Sequence, residues 1–233
     1  AMLSLERGEV QMMPFVGQPA DLARLSKNPQ LSVLSKGYAG FGGVTWLAFN
    51  LTRKPFSDVA VRKAIATAID KNFIAKALQG GFAKPLDGPL DAASPFATND
   101  LVRYPYDLKK SAQMLDAAGY KAGANGERFK ITMDYFPGAD SWSKNGAEYL
   151  RSQLKKVGIT VEIRGEPDFP TWAKRMATHD FDVSLDGTFN WADPVIGVHR
   201  TYLSTNIKPV VWSNTQSYAN PKVDALLNSA AKE

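Results

Sequence analysis

The chain has 233 residues, a formal net charge of +5 and no cysteine. A chain of this length forms one large domain or two small ones, and the lack of cysteine excludes disulfides, thiolate catalysis and cysteine metal sites. Its 28 Lys and Arg are spread along the chain instead of forming the dense patch of a nucleic-acid surface. No apolar stretch reaches the length of a membrane-spanning helix.

The first predicted elements are one helix and two strands. Residues 18–27 predict a short helix that Asp21 can cap. Residues 31–35 alternate apolar and polar side chains, which is typical of a strand. Residues 44–51 form a continuous apolar run, and such a run indicates a strand in a sheet that is covered on both faces.

The clearest predicted helix covers residues 58–78, where apolar side chains recur at helical spacing. Ser57 or Asp58 can accept hydrogen bonds from its first turn, and the glycines at 80–81 end it. Residues 82–106 contain four prolines. They predict a long irregular segment over the surface, and such segments are often functional.

A strand–helix–strand unit is predicted in the middle of the chain. Asp107 is expected to cap the helix before it, which Gly119 ends. Residues 129–135 and 159–164 alternate as strands, and residues 143–157 between them have helical spacing. Two strands joined by such a helical crossover are expected to be parallel.

The C-terminal part contains weaker signals. We expect a short helix at 169–177 and a strand at 181–186. Residues 187–219 are rich in Gly, Asn, Ser, Thr and aromatic residues and show no clear period, so they predict a second long loop. A helix is expected from residue 220 onward. Together the elements predict one α/β or α+β domain with two long loops.

Four aspartates between residues 180 and 193 suggest acid–base chemistry. Asp180, Asp182 and Asp186 would share one face of a strand, and with His179 and Asp193 nearby they could form a paired-carboxylate site. The alternative is a solvated strand face. No hydrolase motif accompanies the cluster, so a carboxylate-dependent hydrolase is the second hypothesis for function.

Metal and phosphate sites have less support. His179 and His199 are 20 residues apart, with Asp182 and Asp193 between them, but neither histidine has a partner at ligand spacing. The glycines at 40–43 precede a strand instead of opening a helix, which is the wrong context for a phosphate-binding loop. We therefore predict no metal and no cofactor, and a simple turn at these glycines.

Aromatic residues indicate small-molecule binding more than nucleic-acid binding. Trp172 next to Lys174 and Arg175 mixes aromatic and basic character, but most aromatics fall at core spacing, so no nucleic-acid partner is expected. The second long loop carries four aromatics that could line a ligand site or bury each other as a satellite cluster. These four are Trp191, Tyr202, Trp212 and Tyr218.

Several segments together resemble a known family. Residues 47–65 (LAFNLTRKPFSDVAVRKAI), with AIDK at 68–71, resemble the signature of the family 5 extracytoplasmic solute-binding proteins, the oligopeptide-, dipeptide- and nickel-type receptors of ABC importers. Similar family segments follow in order along nearly the whole chain. They are YPYD at 104–107, AGY at 118–120, LKKVGI at 154–159, DFD at 180–182, DP at 193–194 and YANPKVD at 218–224.

The resemblance implies the fold and the extent of the chain. Members have two lobes that close on a ligand and are about twice as long, so residues 1–233 are expected to be the C-terminal lobe of a type II periplasmic binding protein, with a mixed sheet flanked by helices. Residues 1–45 would hold the inter-lobe connection and edge elements, 46–219 the main lobe, and 220–233 the start of a truncated helix.

The resemblance also implies a function without covalent chemistry. The protein is expected to be a monomer in the periplasm, or anchored by lipid to the outer face of the membrane. It would bind a peptide or similar solute between two lobes and deliver it to the ABC permease. The alternative of a hydrolase would use the Asp180–Asp193 cluster.

The resemblance places ligand contacts after the strand that follows DFD. Peptide-type relatives have a Gly-Trp pair and then an Asp that holds the peptide amine. Here Gly187 is in place, but Thr188 stands at the Trp position. A short deletion would restore Trp191 and Asp193 as the Trp and the Asp, and a carboxylate there would pair with an ammonium group.

Further ligand-binding candidates lie outside that segment. In relatives the helix before DFD supplies basic side chains for ligand carboxylates, and Arg175 would do so here, since the guanidinium fork suits a carboxylate. A solvated helix face is the alternative for Arg175. Phe169 in the same helix and Asn50 near the connection between lobes complete the candidate set.

Overall fold

A computed structural model describes residues 2–14, 18–34, 36–37, 39–137, 142–191 and 193–232. The strands are β1 (Gly43–Phe49), β2 (Phe129–Tyr135), β3 (Ile159–Arg164) and β4 (Val183–Phe189). The helices are α1 (Met2–Glu6), α2 (Pro19–Leu25), α3 (Val59–Thr67), α4 (Lys71–Phe73), α5 (Leu108–Ala117), α6 (Trp142–Lys155), α7 (Phe169–Ala177), α8 (Pro194–Tyr202) and α9 (Pro221–Ala230). Short 3-10 or π-helical turns cover Ala39–Phe41, Ile74–Leu78 and Ser204–Asn206. Among the described helices, we find none with the length and apolar character needed to span a bilayer.

The described strands form one mixed sheet in the order β1-β4-β2-β3. β2 is parallel to β3 on one side and to β4 on the other, whereas β1 is antiparallel to β4. The predicted strand–helix–strand unit is confirmed, and β2, β3 and α7 begin and end at the predicted residues. The expected class, an α/β fold with a mixed sheet flanked by helices, is also confirmed.

Helices cover both faces of this sheet. On one face α6 packs so closely that a Cβ added to its Gly146 would lie 2.7 Å from a methyl carbon of Leu185. Ser184, which precedes Leu185 in β4, points to the other face. There Nε1 of Trp172 in α7 donates to the Ser184 hydroxyl at 3.4 Å. The larger core lies on the α6 side and includes Val61, Ile65, Leu115, Met133, Leu150, Leu154, Ile159 and Val183.

The helix expected over 58–78 is interrupted. Asp58 caps α3 as predicted, by accepting from the N–H of Ala60 at 2.8 Å. Asp70 then caps a new start, α4, by accepting from the N–H of Phe73 at 3.0 Å. A second N-cap within the run favours a new helix start, and the spacing of apolar residues does not reveal it.

Two expectations for the N-terminal part are wrong. Residues 31–34 form no strand, and Ser35 lies outside the described residues. Gln18, and not Asp21, occupies the N-cap position of α2. Asp21 lies in the first turn and pairs with Arg24 at 3.1 Å, so its carboxylate supports the helix through a side-chain pair.

The sheet is covered on both faces as expected, but β1 is not a buried strand. Within the described sheet β1 lies at an edge, and Ala48 is its one buried residue. Neighbouring rings cover part of its apolar surface, since Tyr202 packs edge-on against Trp46 and Phe56 stacks on Phe49. The continuous apolar run therefore marks an edge strand whose side chains are mostly half-buried.

The long loop expected over 187–219 contains regular structure. β4 starts at Val183 and runs to Phe189, so the strand lies later than the predicted 181–186. Asp193 caps α8, and Pro194 occupies its first turn, where a missing N–H costs nothing. The other irregular segment, 82–106, has no helix or strand, as predicted.

A close backbone approach seats α8 on the end of β4. A Cβ added to Gly197 of α8 would lie 2.2 Å from Cα of Asn190, which follows β4. Side chains cannot relieve a contact between backbone atoms, so this position requires glycine.

We predict that Gly197→Ala lowers the free energy of unfolding by about 1–3 kcal/mol through overpacking. An alanine inside a helix is normally favoured over glycine by up to ~1 kcal/mol. A lower free energy of unfolding would therefore have to come from the close backbone approach. Gly187→Ala is the control, because its added Cβ would meet nothing nearer than the Val44 carbonyl oxygen at 3.8 Å. Urea unfolding followed by circular dichroism measures both, and equal stability of the two variants would contradict the prediction.

Candidate functional site

The topology of the sheet places a candidate site at one edge. Because β2, β3 and β4 are parallel, their carboxyl ends point to the same side of the sheet, and β4 extends furthest, since Tyr135 at the end of β2 pairs with Leu185 and β4 continues for four more residues to Phe189. The crossover from β2 leads to β3 on one side, and the crossover from β3 returns to β4 on the other side. In such sheets ligands bind outside the carboxyl ends where the crossovers diverge. We call residues 135–136, 165–169 and 189–191 the carboxyl edge.

One aromatic cluster, the Trp191 cluster, lies where β4 ends and β1 begins. Its ring centroids are 4.8 Å apart for Phe41 and Phe189, 5.1 Å for Phe41 and Trp191, and 6.0 Å for Phe189 and Trp191. Phe189 is 42% exposed. Trp191 has a φ of 51°, a left-handed conformation that is uncommon for a bulky residue. The backbone thus turns sharply at the predicted ligand residue Trp191.

A second aromatic cluster, the Phe169 cluster, lies where β2 and β3 end. Phe169 stacks on Trp212 with centroids 5.4 Å apart, and it packs against Trp172 at 5.8 Å and Phe136 at 6.0 Å. Asp168 caps α7 by accepting from the N–H of Thr171 at 2.9 Å, which fixes where Phe169 begins the helix. Phe169 and Trp212 remain 37% and 38% exposed, so this edge presents an apolar surface to solvent.

Asn190 joins three segments at the carboxyl edge. Its N–H donates to the Gly42 carbonyl at 2.9 Å, and its side-chain amide donates to the Pro89 carbonyl. The irregular segment 82–106 therefore reaches this edge at Pro89. Sequence reasoning missed Asn190, because its partners lie about 100 residues or more away. The predicted turn at 40–43 is present as a 3-10 turn followed by Gly42 with φ of 55°.

Thr188 and Arg200 lie together beside the Trp191 cluster. Thr188 is buried. Nη2 of Arg200 donates to the Phe189 carbonyl at 2.9 Å and approaches the Thr188 hydroxyl at 3.3 Å. Sequence reasoning missed Arg200 because it treated this segment as a loop. The Asp193-Pro194 pair was the signal for α8, which places Arg200 seven residues after the cap.

Asp193 caps a helix at the carboxyl edge. It is exposed, and its Oδ1 accepts from the N–H of Val195 at 2.9 Å as the N-cap of α8. Its carboxylate is therefore already partly engaged in satisfying the first turn of the helix. Trp191, Thr188, Asp193 and Phe169 all lie at or beside the carboxyl edge.

Arg175, in α7, belongs to an ion-pair network that reaches the carboxyl edge at Glu166. Its Nε is 2.6 Å from Glu166 and 3.7 Å from Asp134, and its Nη1 is 3.1 Å from Asp180. Asp134 is fully buried and also accepts two hydrogen bonds from the Arg164 fork, each at 2.8 Å. The Arg175 guanidinium thus already has carboxylate partners within the protein.

Asn50 lies at the opposite end of β1 from the Trp191 cluster. It follows β1, is fully buried, and donates to the carbonyls of His179 and Phe181 at 2.8 and 2.9 Å. Its Oδ1 accepts from Thr52. Asn50 therefore joins the end of β1 to the segment that enters β4, and its side chain is taken up by these contacts.

The four aromatics of residues 187–219 divide between two places. Trp191 and Trp212 lie in the two clusters of the carboxyl edge. Tyr202 and Tyr218 are 6.1 Å apart, and with Trp46 and Arg62 they line a cavity of about 170 Å³ beside β1. The four aromatics thus do not form one cluster.

The aspartates proposed for acid–base chemistry do not share a strand face. Asp180 and Asp182 precede β4, and both pair with Arg53, at 3.0 and 3.2 Å. Asp182 also accepts from the N–H and hydroxyl of Thr132. Their carboxylates hold loops to the sheet, and the hydrolase alternative has no support.

Both histidines contact backbone carbonyl groups of the protein. Nδ1 of His179 is 2.8 Å from the Thr215 carbonyl, and Nδ1 of His199 is 3.1 Å from the Pro194 carbonyl. Within the described part of the chain, no three metal-ligating side chains come together.

Asp186 is the unusual carboxyl group of the sheet. It lies within β4, opposite Trp46 of β1, and only 4% of it is exposed. Burial raises the pKa of Asp186 to about 7, although the N–H of Gly187 partly offsets this by donating to it. No lysine or arginine of the described residues lies within 4.0 Å to pair with it.

Sequence comparison gives a clear result. The family model for bacterial extracellular solute-binding proteins, family 5 (middle region), matches residues 1–209. Heme-binding protein A of Haemophilus influenzae is 30% identical over 91% of this chain and 37% of its own length. The dipeptide-binding protein of Escherichia coli is 28% identical over 68% of this chain and 29% of its own length.

Comparison with solved structures agrees with the sequence comparison. The periplasmic binding protein DppA of Helicobacter pylori, solved with the peptide STSA, matches 97% of this chain with a TM-score of 0.83 and 26% identity. HbpA2 of Haemophilus parasuis matches 99% with a TM-score of 0.80 and 25% identity. The expected type II periplasmic binding fold is confirmed. The chain spans 42% and 44% of these two proteins, and about a third of the two curated relatives.

We predict that Asp186 makes stability fall as the pH rises towards 7. Between the unfolded pKa near 3.9 and the folded pKa of about 7, the native state keeps a proton that the unfolded chain releases. The contribution of Asp186 is thus complete below about pH 4 and lost above about pH 7. At 1.36 kcal/mol per pH unit, about 2 kcal/mol should be lost between pH 5.5 and pH 8.

Urea unfolding at those two pH values tests this prediction. Asp186→Asn keeps the shape of the side chain and should remove that part of the pH dependence. Asp193→Asn is the matched control, since asparagine also caps helices, and it should follow the wild type. An Asp186→Asn variant with the wild-type pH dependence would show that Asp186 is ionised in the folded protein.

Proposed function

Because this chain belongs to the bacterial extracellular solute-binding proteins of family 5, we propose that its carboxyl edge binds a small solute. The family consists of transport receptors, and we assign this chain a binding role without covalent chemistry. The relatives it matches are named for heme, dipeptides and glutathione. A peptide or a similar small solute is accordingly the ligand class proposed for this chain.

One observation carries the proposal. The carboxyl ends of the parallel strands present two aromatic clusters with exposed rings, the Phe169 cluster where β2 and β3 end and the Trp191 cluster at the end of the longer β4. Ligand sites combine such apolar walls with a few fixed polar groups. Here Asn190 and the capped starts of α7 and α8 hold the backbone beside the rings in place.

The predicted site residues take two roles in this proposal. Trp191 and Phe169 contact the solute through their rings, and Thr188 and Asp193 line the polar side of the same edge. Arg175 and Asn50 support the site from within, since their side chains already bind other groups of the protein. A direct solute contact by Arg175 would require it to leave the Glu166 ion pair.

The chain is proposed to be the C-terminal lobe of a longer receptor. Residues 46–219 would form the main lobe, residues 1–45 the connection and edge elements, and residues 220–233 the C-terminal helical element of this chain. The solute would favour the closed arrangement of two lobes, and the ABC permease would recognise that arrangement. We place this monomeric receptor in the periplasm or at the outer face of the membrane.

Native mass spectrometry of the full-length receptor, purified without refolding, tests this function. We expect a bound small solute on the receptor and none on the 233-residue chain purified in the same way. Trp191→Ala in the receptor should weaken binding by about 2 kcal/mol, roughly thirtyfold, as for a central aromatic contact.

Tyr218→Ala, in the cavity beside β1, is the control and should keep the solute. Equal retention of solute by the isolated chain would contradict a site shared between two lobes. Full retention by the Trp191→Ala receptor would contradict a site at the carboxyl edge.

A further inference from the structure

β1 lacks the features that usually protect the edge of a sheet. Edge strands in natural proteins carry charged side chains, prolines or bulges that discourage pairing with a further strand. The residues of β1, GVTWLAF, include neither a charged residue nor a proline, and they pair with β4 one to one, without a bulge. Within the described sheet no strand lies on the other side of β1. Such an edge is a template for pairing with another strand.

The register shows which backbone groups of β1 face this free edge. Asn50 continues the pairing with β4, since its N–H donates to the Asp182 carbonyl at 2.9 Å, one position beyond the Phe49–Val183 pair. Along an antiparallel strand, residues alternate between those whose N–H and C=O face the partner strand and those whose groups face away. The even-numbered residues of β1 therefore face β4. The N–H and C=O groups that face away belong to Thr45, Leu47 and Phe49.

Leu51 shows that the free edge accepts an extended neighbour. It follows Phe49 by two positions and so faces the same way, and its N–H donates to the Gln216 carbonyl at 3.0 Å. Among the described residues no comparable hydrogen bond is formed by the N–H groups of Thr45, Leu47 and Phe49. The edge is thus paired at one end only.

The cavity beside β1 runs along the unpaired part of this edge. Its lining includes residues 46–49 and Leu51, and it includes Arg62 of α3 on the face of the sheet that carries the larger core. Side chains on the other face complete the lining, namely Tyr202, Gln216 and Tyr218. A groove with a strand edge at its base and side chains on both sides fits the addition of an extended segment.

Two polar side chains of the groove can serve such a segment. Gln216 is only 6% exposed, and its Nε2 donates to the Thr201 carbonyl at 2.8 Å, but its Oε1 is buried without a hydrogen-bond partner among the described residues. Arg62 donates to the Phe56 carbonyl and has no carboxylate within 4.0 Å in the described part of the chain. A passing backbone offers an N–H to Gln216 and a carbonyl to Arg62, and an unpaired buried amide oxygen is costly.

The extent of the chain indicates where this segment comes from. The chain spans 42% of the Helicobacter pylori protein and 44% of HbpA2, so more than half of each of these proteins lies outside the matched region. A segment tethered to the same lobe has an effective concentration far above that of a free peptide or a second copy. It would therefore occupy the groove before either of them.

We infer that an extended segment of the receptor outside residues 1–233 pairs with Thr45, Leu47 and Phe49 and fills the cavity beside β1. The inference rests on the proposal that this chain is one lobe of a longer receptor, and not on where the solute binds. Side chains of the segment that point towards Tyr202 and Tyr218 should be apolar, because those rings dominate that side of the groove.

Hydrogen exchange resolved to single amides tests this inference, by comparing the full-length receptor with the 233-residue chain. We expect the amides of Thr45, Leu47 and Phe49 to exchange at least about tenfold more slowly in the receptor, because they are then paired. The amides of Trp46 and Ala48, which face β4, are the matched control and should change much less. Equal slowing of both sets would report general stabilisation and would contradict pairing at the edge.

Two variants at one position separate the backbone from the side chain. Leu47→Pro removes an outward N–H, whereas Leu47→Ala shortens the side chain and keeps that N–H. A proline is tolerated on an edge strand but not within a sheet, so we expect Leu47→Pro to lower the urea midpoint below that of Leu47→Ala in the receptor more than in the chain. The same difference in both proteins would contradict the inference. If Leu47→Pro does not fold, exchange in the wild type decides the question.

The outcomes keep this inference apart from the proposed solute site. Outward amides that exchange equally fast in both proteins contradict the inference, even if the receptor carries a solute. Protection that disappears when the solute is removed, or that grows with receptor concentration, would assign the groove to the solute or to a second copy, and either result contradicts the inference. Protection in a receptor that retains no solute supports the inference and contradicts the proposed solute function.

Discussion

The pairing of β2 with two parallel neighbours is the constraint on which the rest of the structure depends. With β3 on one side and β4 on the other, the two crossovers leave in opposite directions, and α6 and α7 cover opposite faces. Three carboxyl ends then point to one side of the sheet. Residues distant in the chain become neighbours there, since the N–H of Phe136, which follows β2, donates to the Leu185 carbonyl at 2.9 Å. A binding surface thus arises from topology before any single side chain is considered.

Charge is used differently at the two ends of β4. Before the strand, Arg53 and Arg175 bind the aspartates that the sequence grouped as a possible catalytic cluster. After the strand, Arg200 has neutral partners only, within the described residues. Among the described residues, arginine thus forms ion pairs at one end of β4 and hydrogen bonds to neutral oxygens at the other. Burial and the identity of the partner decide between these roles.

Much of the fold could be predicted from local pattern, and the site only in part. Alternation and helical spacing placed β2, β3 and α7 at their observed residues, because those elements each bury one face. The break before α4 and the start of α8 depend on single capping residues, Asp70 and Asp193, which periodicity does not detect. For other side chains, contacts with residues distant in the sequence determine the role. Asn50 contacts residues about 130 positions away, and no local pattern distinguishes such a buried amide from a ligand contact.

The crystal structure of the full-length receptor with its co-purified solute would test the central claim most directly. The account predicts that the solute contacts the rings of Phe169 or Trp191 at the carboxyl edge of this lobe, between β2 and β4. A solute seated instead in the cavity beside β1, or against the Arg53 ion pairs that precede β4, would contradict it.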